Sequence, residues 1–274
     1  KIDSSSHLAA LGASAPSAWL VLPPASAKAA TQLLTIREDG AILAAGPNPD
    51  QDVYTVEFPV PGTPLAGLLL EALRDPTMTK GGLARSDSGN FVLTSFELSL
   101  RSSDGKSTPV AIKNAQATFE QGHWKVSEAL NKNSGTGWAT LESGGIKRDH
   151  AAIFQFDEAL RPAPGQTLVV TMRQQSPHKN HNLGYFSFEG SIEVKPSLPK
   201  DQSLINALRS VPENRSEAQQ DLLKNSYLGG NPQLADLQKK ETVATKRLND
   251  FRNRLPKVMI MADQTKARVT RILD

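Results

Sequence analysis

Apolar and polar residues alternate in short runs through the first part of the chain, and most runs end at Gly, Pro, Asn or Asp. The clearest run, Gly89–Leu100, has Phe91 and Leu93 at odd positions, and then Phe96, Leu98 and Leu100 at even positions. Because residues i and i+2 of a strand share a face, this change of parity requires one extra residue near Thr94 and Ser95. The run therefore predicts a central strand that contains a β-bulge.

Similar runs on both sides of this strand predict an antiparallel sheet structure. Asp39-Gly40 separates two apolar runs, which is the strongest short-range signal of a hairpin, because both positions tolerate positive φ. Roughly ten short strands with turn residues between them and almost no helix are typical of a β-sandwich. Besides the central strand, strands are predicted over residues 18–22, 32–37, 41–44, 53–58, 66–73, 109–112, 115–119, 151–156, 167–173, 185–189 and 191–194.

The apolar positions of the central strand and of three later strands are expected to form the core. A single helical turn is predicted near Ser127–Leu130, in an otherwise irregular stretch. The expected core residues are Phe91, Leu93, Phe96, Leu98, Leu100, Ile153, Phe154, Phe156, Val169 and Phe186.

The apolar spacing changes from two to three and four residues after Lys195–Pro199. A short helix is predicted over 201–210, and a second runs from an N-cap at Ser216 to Tyr227. A third begins at Asn231-Pro232 and continues to about Leu255. Its apolar stripe, interrupted by Glu241, consists of Leu234, Leu237, Ala244, Leu248, Phe251 and Leu255. We therefore expect a β-sandwich domain over 1–195 and a helical linker or hairpin over 196–274 that leads into a following domain.

Composition and charge narrow the functional classes. The chain has 274 residues, of which 5% are aromatic. It has no cysteine, which excludes disulfides, thiolate metal sites and cysteine nucleophiles. The net charge is +3, with the basic excess after residue 200. There the basic residues interleave with acidic ones, which is typical of solvated helices, so no nucleic-acid partner is predicted. The uncharged stretch 8–27 contains Pro16, Pro23 and Pro24, so no membrane insertion is predicted either.

Several motifs then occur in an order that suggests a family. Asn90–Leu98, Ala129–Asn133 with Thr136–Ala139, and Ala151–Phe156 follow one another as in discoidin-like (F5/8 type C) domains, which the chain resembles. That resemblance implies the galactose-binding-like jelly roll, an antiparallel β-sandwich. The acidic residue that those domains often carry before the tryptophan is replaced by Asn131 or is absent here.

Three further segments, Gly46–Asp50, Leu183–Phe188 and Met259–Asp274, make the resemblance closer. With them the chain looks like the region between the two large uncharacterised domains of exported planctomycete-type cytochrome proteins. This resemblance implies an extracytoplasmic location (periplasmic, cell-surface or secreted) and a multidomain parent protein whose other domains are its partners. The chain has no Cys-x-x-Cys-His, so haem would belong to another part of such a protein.

The polar loop between the last two confident strands is the strongest candidate for ligand binding. Imidazole, amide and ammonium groups suit sugar hydroxyls and anionic substituents such as carboxylate or sulfate. Trp138 is either a platform for a sugar ring or a core residue that closes one end of the sandwich. Trp124 and Trp19 are predicted to be structural. The candidate ligand-binding residues are Arg85, Trp138, His178, Lys179, Asn180, His181 and Asn182.

A calcium site is a weaker expectation, and no cofactor is certain. Discoidin-like sandwiches often hold calcium through hard oxygen ligands, which implies Asp87 and Asn90 as candidates, with Asp50 and Asp52 as alternatives. The competing interpretation is that these side chains hydrogen-bond their own loops.

No catalytic motif occurs, since the chain lacks Gly-x-Ser-x-Gly, His-Glu-x-x-His and a P-loop. We therefore expect a non-catalytic binding module for carbohydrate. The alternative is a structural or assembly domain that positions a cytochrome domain and its neighbours and has no ligand of its own. A third hypothesis is a composite active site completed by other domains.

Overall fold

The computed structural model describes residues 19–60, 62–196, 198, 204, 207, 215, 217–230 and 232–255. The described residues form fourteen strands and two α-helices. The strands are β1 (Trp19–Val21), β2 (Ser26–Ala29), β3 (Leu33–Ile36), β4 (Ile42–Ala45), β5 (Asp52–Pro59), β6 (Leu65–Ala72), β7 (Val92–Leu93), β8 (Ser95–Arg101), β9 (Ser107–Pro109), β10 (Ile112–Ala117), β11 (Trp138–Ala139), β12 (His150–Leu160), β13 (Thr167–Gln174) and β14 (Tyr185–Ser191). The helices are α1 (Glu217–Gly230) and α2 (Pro232–Arg254).

The strands assemble into two main antiparallel sheets. The larger has the order β10-β12-β6-β14-β4-β3, with β1 beside β14, and the smaller has the order β2-β5-β13-β8-β9. A two-stranded ribbon joins β7 to β11. Side chains from both main sheets form one core, in which Tyr54, Val56 and Phe58 of β5 meet Leu68 and Leu70 of β6. The predicted mainly β, antiparallel sandwich is confirmed.

The break between β7 and β8 is the predicted bulge. Ser95 lies opposite Arg173 in the ladder of β8 and β13. The backbone N–H and Oγ1 of Thr94 also donate to the carbonyl oxygen of Arg173, at 2.8 and 2.9 Å. Thr94 and Ser95 therefore oppose a single residue, which is the two-to-one pairing of a β-bulge. The extra residue lets Phe91 and Leu93 enter the same core as Phe96.

Aromatic contacts tie the two sheets together at the centre of the core. The ring of Phe96 in β8 stacks on that of Phe154 in β12 with a centroid distance of 3.6 Å. Phe188 packs at an angle against Phe96, and edge-on against Phe58. All ten predicted core residues are buried except Leu100, which is partly buried beside the edge strand β9.

Both faces of the larger sheet carry buried apolar residues. Ile153 and Phe154 are neighbours in β12 and point to opposite faces, as successive strand residues do. Phe154 lies in the main core, whereas Ile153 lies in a second cluster with Trp19, Leu69 and Ala151. Trp19 is therefore structural, as predicted.

The predicted hairpin is confirmed, and two strand predictions are wrong. β3 pairs with β4 around the turn at Gly40, whose φ is +83°. The predicted strand 191–194 does not form, because the Ser191 hydroxyl accepts the backbone N–H of Glu193 and turns the chain. The predicted strand 109–112 is divided, because the chain leaves the smaller sheet after Pro109 and joins the larger sheet at Ile112.

The helical predictions are confirmed where the structure describes them. The helical turn at Val126–Leu130 is a 3-10 helix. α1 and α2 match the second and third predicted helices, and α2 begins at Pro232 as expected. Most of the first predicted helix, the cap Ser216 and Asn231 lie outside the described residues. The chain divides into two compact units, Lys1–Leu223 and Lys224–Asp274.

His150, at the start of β12, is a titratable group inside the sandwich. Its side chain is 1% exposed, and its Nε2 lies 3.2 Å from Oε1 of Glu142 in a direction unsuited to a hydrogen bond. Burial lowers the pKa of His150 from 6.5 to about 4, and the attraction of Glu142 offsets this only in part. At a pH between those two values, the imidazole of His150 is therefore neutral in the folded protein and protonated in the unfolded chain.

We expect Phe96→Ala to lower the free energy of unfolding by ~3–5 kcal/mol, because it removes the stacked ring and leaves a cavity between the sheets. The matched control is Leu33→Ala, since Leu33 is 64% exposed. Urea unfolding of both variants measures the difference. Equal midpoints for the two variants would contradict the assigned core.

Acidification should destabilise the wild type through His150. Because the unfolded state binds more protons between the two pKa values, stability is complete above the unfolded value and falls as the pH drops towards the folded one. From about pH 7 to about pH 5 the loss should be about 2 kcal/mol. Urea unfolding of His150→Gln should show this pH dependence reduced by that amount. An unchanged slope would show that His150 titrates normally.

Candidate functional site

Four segments meet at one end of the sandwich, which we call the loop end: residues 46–51, 73–91, 118–137 and 175–184. Ala84 forms an isolated bridge with Leu183, and the N–H of Val92 donates to the carbonyl oxygen of His181 at 2.9 Å. The N–H of Asn180 donates to the carbonyl oxygen of Asp50 at 3.1 Å. The predicted loops before β7 and β14 therefore share an end, together with the loop that leads to β11.

Asn90 joins three parts of the loop end and is not free to bind a metal. Its side-chain oxygen accepts the N–H of Thr140 at 3.0 Å and the Thr140 hydroxyl at 3.2 Å. Its amide nitrogen donates to Oε1 of Gln121 at 3.0 Å. The prediction of Asn90 as a metal ligand is wrong, because its polar atoms already hold the loops together.

Arg85 has a similar supporting role. Its guanidinium donates to the carbonyl oxygens of Gly46 and Pro47, at 2.6 and 2.8 Å, and to Oε1 of Gln32. Because both terminal nitrogens are used in this way, the side chain fixes segment 46–51. Arg85 therefore supports the loop end, in contrast to the ligand contact predicted for it.

Two of the predicted ligand-binding amides also hold segment 46–51. The Asn180 side chain donates to the carbonyl oxygen of Asn48, and the Asn182 side chain to that of Pro49, each at 2.7 Å. Asn182 is buried, so its amide cannot meet a ligand. Asn180 has a φ of +60°, a conformation that Asn tolerates better than most residues. These contacts explain why the loop end has a defined backbone without a strand.

Trp138 is a core residue, which is one of the two roles considered for it, and the other role, an exposed platform, is wrong. Its side chain is fully buried and packs edge-on against Phe91 with a centroid distance of 5.0 Å. Its Nε1–H donates to the carbonyl oxygen of Phe119 at 2.9 Å. The indole therefore anchors the loop end from below, and neither of its faces can stack on a sugar.

The remaining predicted side chains lie on the surface of the loop end. His178 and Lys179 are exposed, and His181 is half-buried. The ring of His178 lies 5.6 Å from that of His181 and 5.5 Å from that of Trp124. The ammonium group of Lys179 lies 3.1 Å from the carboxylate of Asp50. Together with Asp87, His123 and the edge of Trp124, we call this the loop-end patch.

The protonation of His181 follows from its contacts. Its Nδ1 lies 2.8 Å from the carbonyl oxygen of Lys179, which can only accept a hydrogen bond. Burial lowers its pKa, and so does the neighbouring His178, while the Lys179 carbonyl and Asp87 oppose the shift. His181 is therefore neutral near neutral pH, with the proton on Nδ1. Its Nε2 is then an acceptor.

The metal candidates do not form a joint ligand set. Asp52 is buried, and its carboxylate accepts the N–H groups of Thr31, Gln32 and Val53 at 2.8–3.1 Å. Asp50 pairs with Lys179, and the charge of Asp87 raises the pKa of His181 against the lowering by burial. Among the described residues, no group of three or more His, Cys, Asp or Glu side chains could hold a metal ion. The hydrogen bonds of Asp52 and the ion pair of Asp50 agree with the competing interpretation, and the calcium site stays a prediction.

His123 was not predicted as part of a site, and Trp124 was predicted to be structural, which its buried cluster with Val92 and Ala139 confirms. The rings of His123 and Trp124 lie 5.2 Å apart, and Trp124 is 9% exposed, so its edge reaches the surface beneath His178. No local signal pairs this dipeptide with the 175–184 segment, because the two are joined only through the long-range packing of the loops.

Comparisons with known proteins identify no family for the chain. The chain matches no family model, no curated protein and no solved structure among those compared. In the part of the chain that the structure describes, no helix combines the length and the hydropathy needed to cross a membrane.

We expect Asn90→Ala to lower the free energy of unfolding by ~1–3 kcal/mol, because it leaves the partners of its buried amide unsatisfied. Asn114→Ala is the control, since Asn114 is exposed on β10. Thermal unfolding of the two variants measures the effect. A variant of Asn90 as stable as that of Asn114 would show that this amide does not hold the loops.

Proposed function

We propose that the chain is a non-catalytic carbohydrate-binding module and that it binds through the loop-end patch. The observation that carries this proposal is that hydrogen-bonded loops present the imidazoles of His178 and His181, 5.6 Å apart, and the exposed ion pair of Lys179 with Asp50 at one end of the sandwich. Sugar hydroxyls both donate and accept hydrogen bonds, so they match such a mixed set of groups. The proposed extracytoplasmic location and the multidomain parent protein rest on the resemblance in the sequence.

Each exposed group of the patch has a distinct role in this proposal. The Nε2 of His181 accepts a hydrogen bond from one sugar hydroxyl, and the Asp87 carboxylate accepts another. The exposed ring of His178 offers a flat surface beside them. Because the pair of Lys179 and Asp50 is solvent-exposed, it contributes little stability, and a carboxylate or sulfate on the sugar can replace Asp50 as the partner of Lys179.

An open patch of this kind binds weakly. A sugar that stays partly hydrated gains little over its contacts with water, so we expect a dissociation constant on the order of 1 mM for a single site. Several copies or several domains of a parent protein would raise the overall affinity through multivalency.

We expect His181→Ala to weaken glycan binding about tenfold, because it removes the acceptor Nε2 that the loops hold in place. Lys179→Ala should weaken binding of acidic oligosaccharides more than that of neutral ones. The control is Lys106→Ala, which removes an exposed lysine from the turn between β8 and β9 at the opposite end. Calorimetric titration with neutral, carboxylated and sulfated oligosaccharides measures these differences.

If the wild type binds a glycan and both loop-end variants bind it equally well, the binding site lies elsewhere on the chain. If no oligosaccharide of the panel binds at millimolar concentration, the carbohydrate function is wrong.

A second candidate function is favoured by the apolar side chains exposed in both units. Leu33 and Ile36 lie on β3, an edge strand of the larger sheet, and are 64% and 37% exposed. In the second unit Leu237, Leu248 and Phe251 of α2 are 58%, 49% and 63% exposed. Exposed apolar patches are typical of interaction surfaces. They support the alternative of a structural domain that holds neighbouring domains in place.

A further inference from the structure

Most of the exposed apolar residues of α2 lie on one stripe of the helix, and Val243 lies outside it. At about 100° per residue, the positions spaced three and four residues apart fall within a stripe of about 80°. Exposed side chains at these positions, which we call the α2 seam, are Leu237, Glu241, Ala244, Leu248 and Phe251, followed by Leu255 directly after the helix. This heptad spacing is that of a helix that packs lengthwise against another helix.

Basic residues border the seam. Lys240, Arg247 and Arg254 recur every seven residues along one side, and Arg252 lies on the other. Lys240 and Arg247 line a shallow groove on α2 together with Val243 and Ala244. The ion pair of Lys240 with Asp236 joins two side chains that are 70% and 59% exposed, so it holds Lys240 only weakly.

A second copy of α2 fits this surface poorly. In an antiparallel pair the side with Lys240, Arg247 and Arg254 would meet the same side of the other copy. In a parallel pair Arg247 would approach Arg252, and Glu241 would face Glu241 of the other copy inside the seam. Like charges in these positions oppose pairing, and a carboxylate inside the seam needs a polar or basic partner.

We propose that the α2 seam binds an amphipathic helix whose apolar stripe is bordered by acidic residues. Its carboxylates pair with Lys240, Arg247 and Arg254, and an Asn, Gln or Lys within its stripe faces Glu241 and fixes the register. This inference deepens the assembly role given above as the second candidate, and it rests on that role.

The test uses the full chain and two designed helices of about 25 residues, which is the length needed to follow α2. Both carry Leu along the stripe and one Asn facing Glu241. One is bordered by Glu and the other by Lys. Fluorescence anisotropy of each labelled helix measures binding at low and high salt, and circular dichroism confirms that every variant keeps its helices.

We expect the Glu-bordered helix to bind at least tenfold more tightly than the Lys-bordered one at low salt, and high salt should reduce the difference. Leu248→Asp and Arg247→Glu should each weaken binding about tenfold. Asn249→Asp and Lys246→Glu make the same charge changes at neighbouring positions off the seam, and they should have less than a twofold effect.

Three results would overturn the inference: equal binding of the two helices, binding of neither, or a Leu248→Asp variant that binds as tightly as Asn249→Asp. Analytical ultracentrifugation distinguishes a failure of the acidic-helix inference from a failure of the broader assembly role. Concentration-dependent dimers that Leu248→Asp abolishes would contradict an acidic partner but keep an assembly role. Monomers that bind neither helix would argue against both, and neither result bears on glycan binding at the loop end.

Discussion

The two-to-one pairing of Thr94 and Ser95 with Arg173 is the constraint on which the sandwich depends. Without the extra residue, either the segment before it or the segment after it would turn its large side chains to the opposite face. Phe91, Leu93 and Phe96 are all buried in one core because the bulge corrects the parity. Since burial of each such side chain contributes about 1.5–3 kcal/mol, a regular strand would lose several kcal/mol on one side of the break.

The same bulge prepares the loop end. Before the break the chain pairs with β11 through β7, which places Trp138 against Phe91 beneath the loops, and after the break β8 pairs with β13. Above this aromatic base, Asn90 and Arg85 satisfy the polar groups of neighbouring segments. The side chains that remain exposed, above all His178 and His181, therefore lie on a support that internal hydrogen bonds hold in place, although the buried side-chain oxygens of Asn48 and Asn182 have no hydrogen-bond partner among the described residues. A binding surface on such a support loses little conformational entropy when it meets a ligand.

Much of the fold could be predicted from the sequence because strong alternation and specific turn residues mark it. The hairpin at Asp39-Gly40 and the bulge near Thr94 are local signals. β2 could not be predicted because its Ser-Ala-Lys-Ala sequence shows no alternation of strongly apolar and polar residues. It forms a strand because it pairs with β5 at the edge of the smaller sheet. The sequence also does not show the contacts of Trp138, Asn90, Arg85 and Asn182. Trp138 packs in the core, and the three polar side chains hydrogen-bond to other loops, so these roles depend on partners far away in the chain.

Of the residues predicted for the site, His178, His181 and Lys179 remain candidates for ligand contact. Asn180, Asn182 and Trp138 instead hold the loops in place. His123 and Trp124 joined the patch through packing alone. This division has a physical origin, because a loop that leaves a sandwich must satisfy its buried backbone groups with side chains before others can serve a ligand.

The central claim is that this polar loop end binds carbohydrate, and the ring signals of the histidines test it most directly. The chain has only five histidines, so their imidazole resonances can be followed individually by nuclear magnetic resonance during titration with oligosaccharides. The account predicts that the signals of His178 and His181 shift together while that of the buried His150 stays fixed. A bound oligosaccharide that moves neither loop-end signal, or an equal shift of His150, would contradict it.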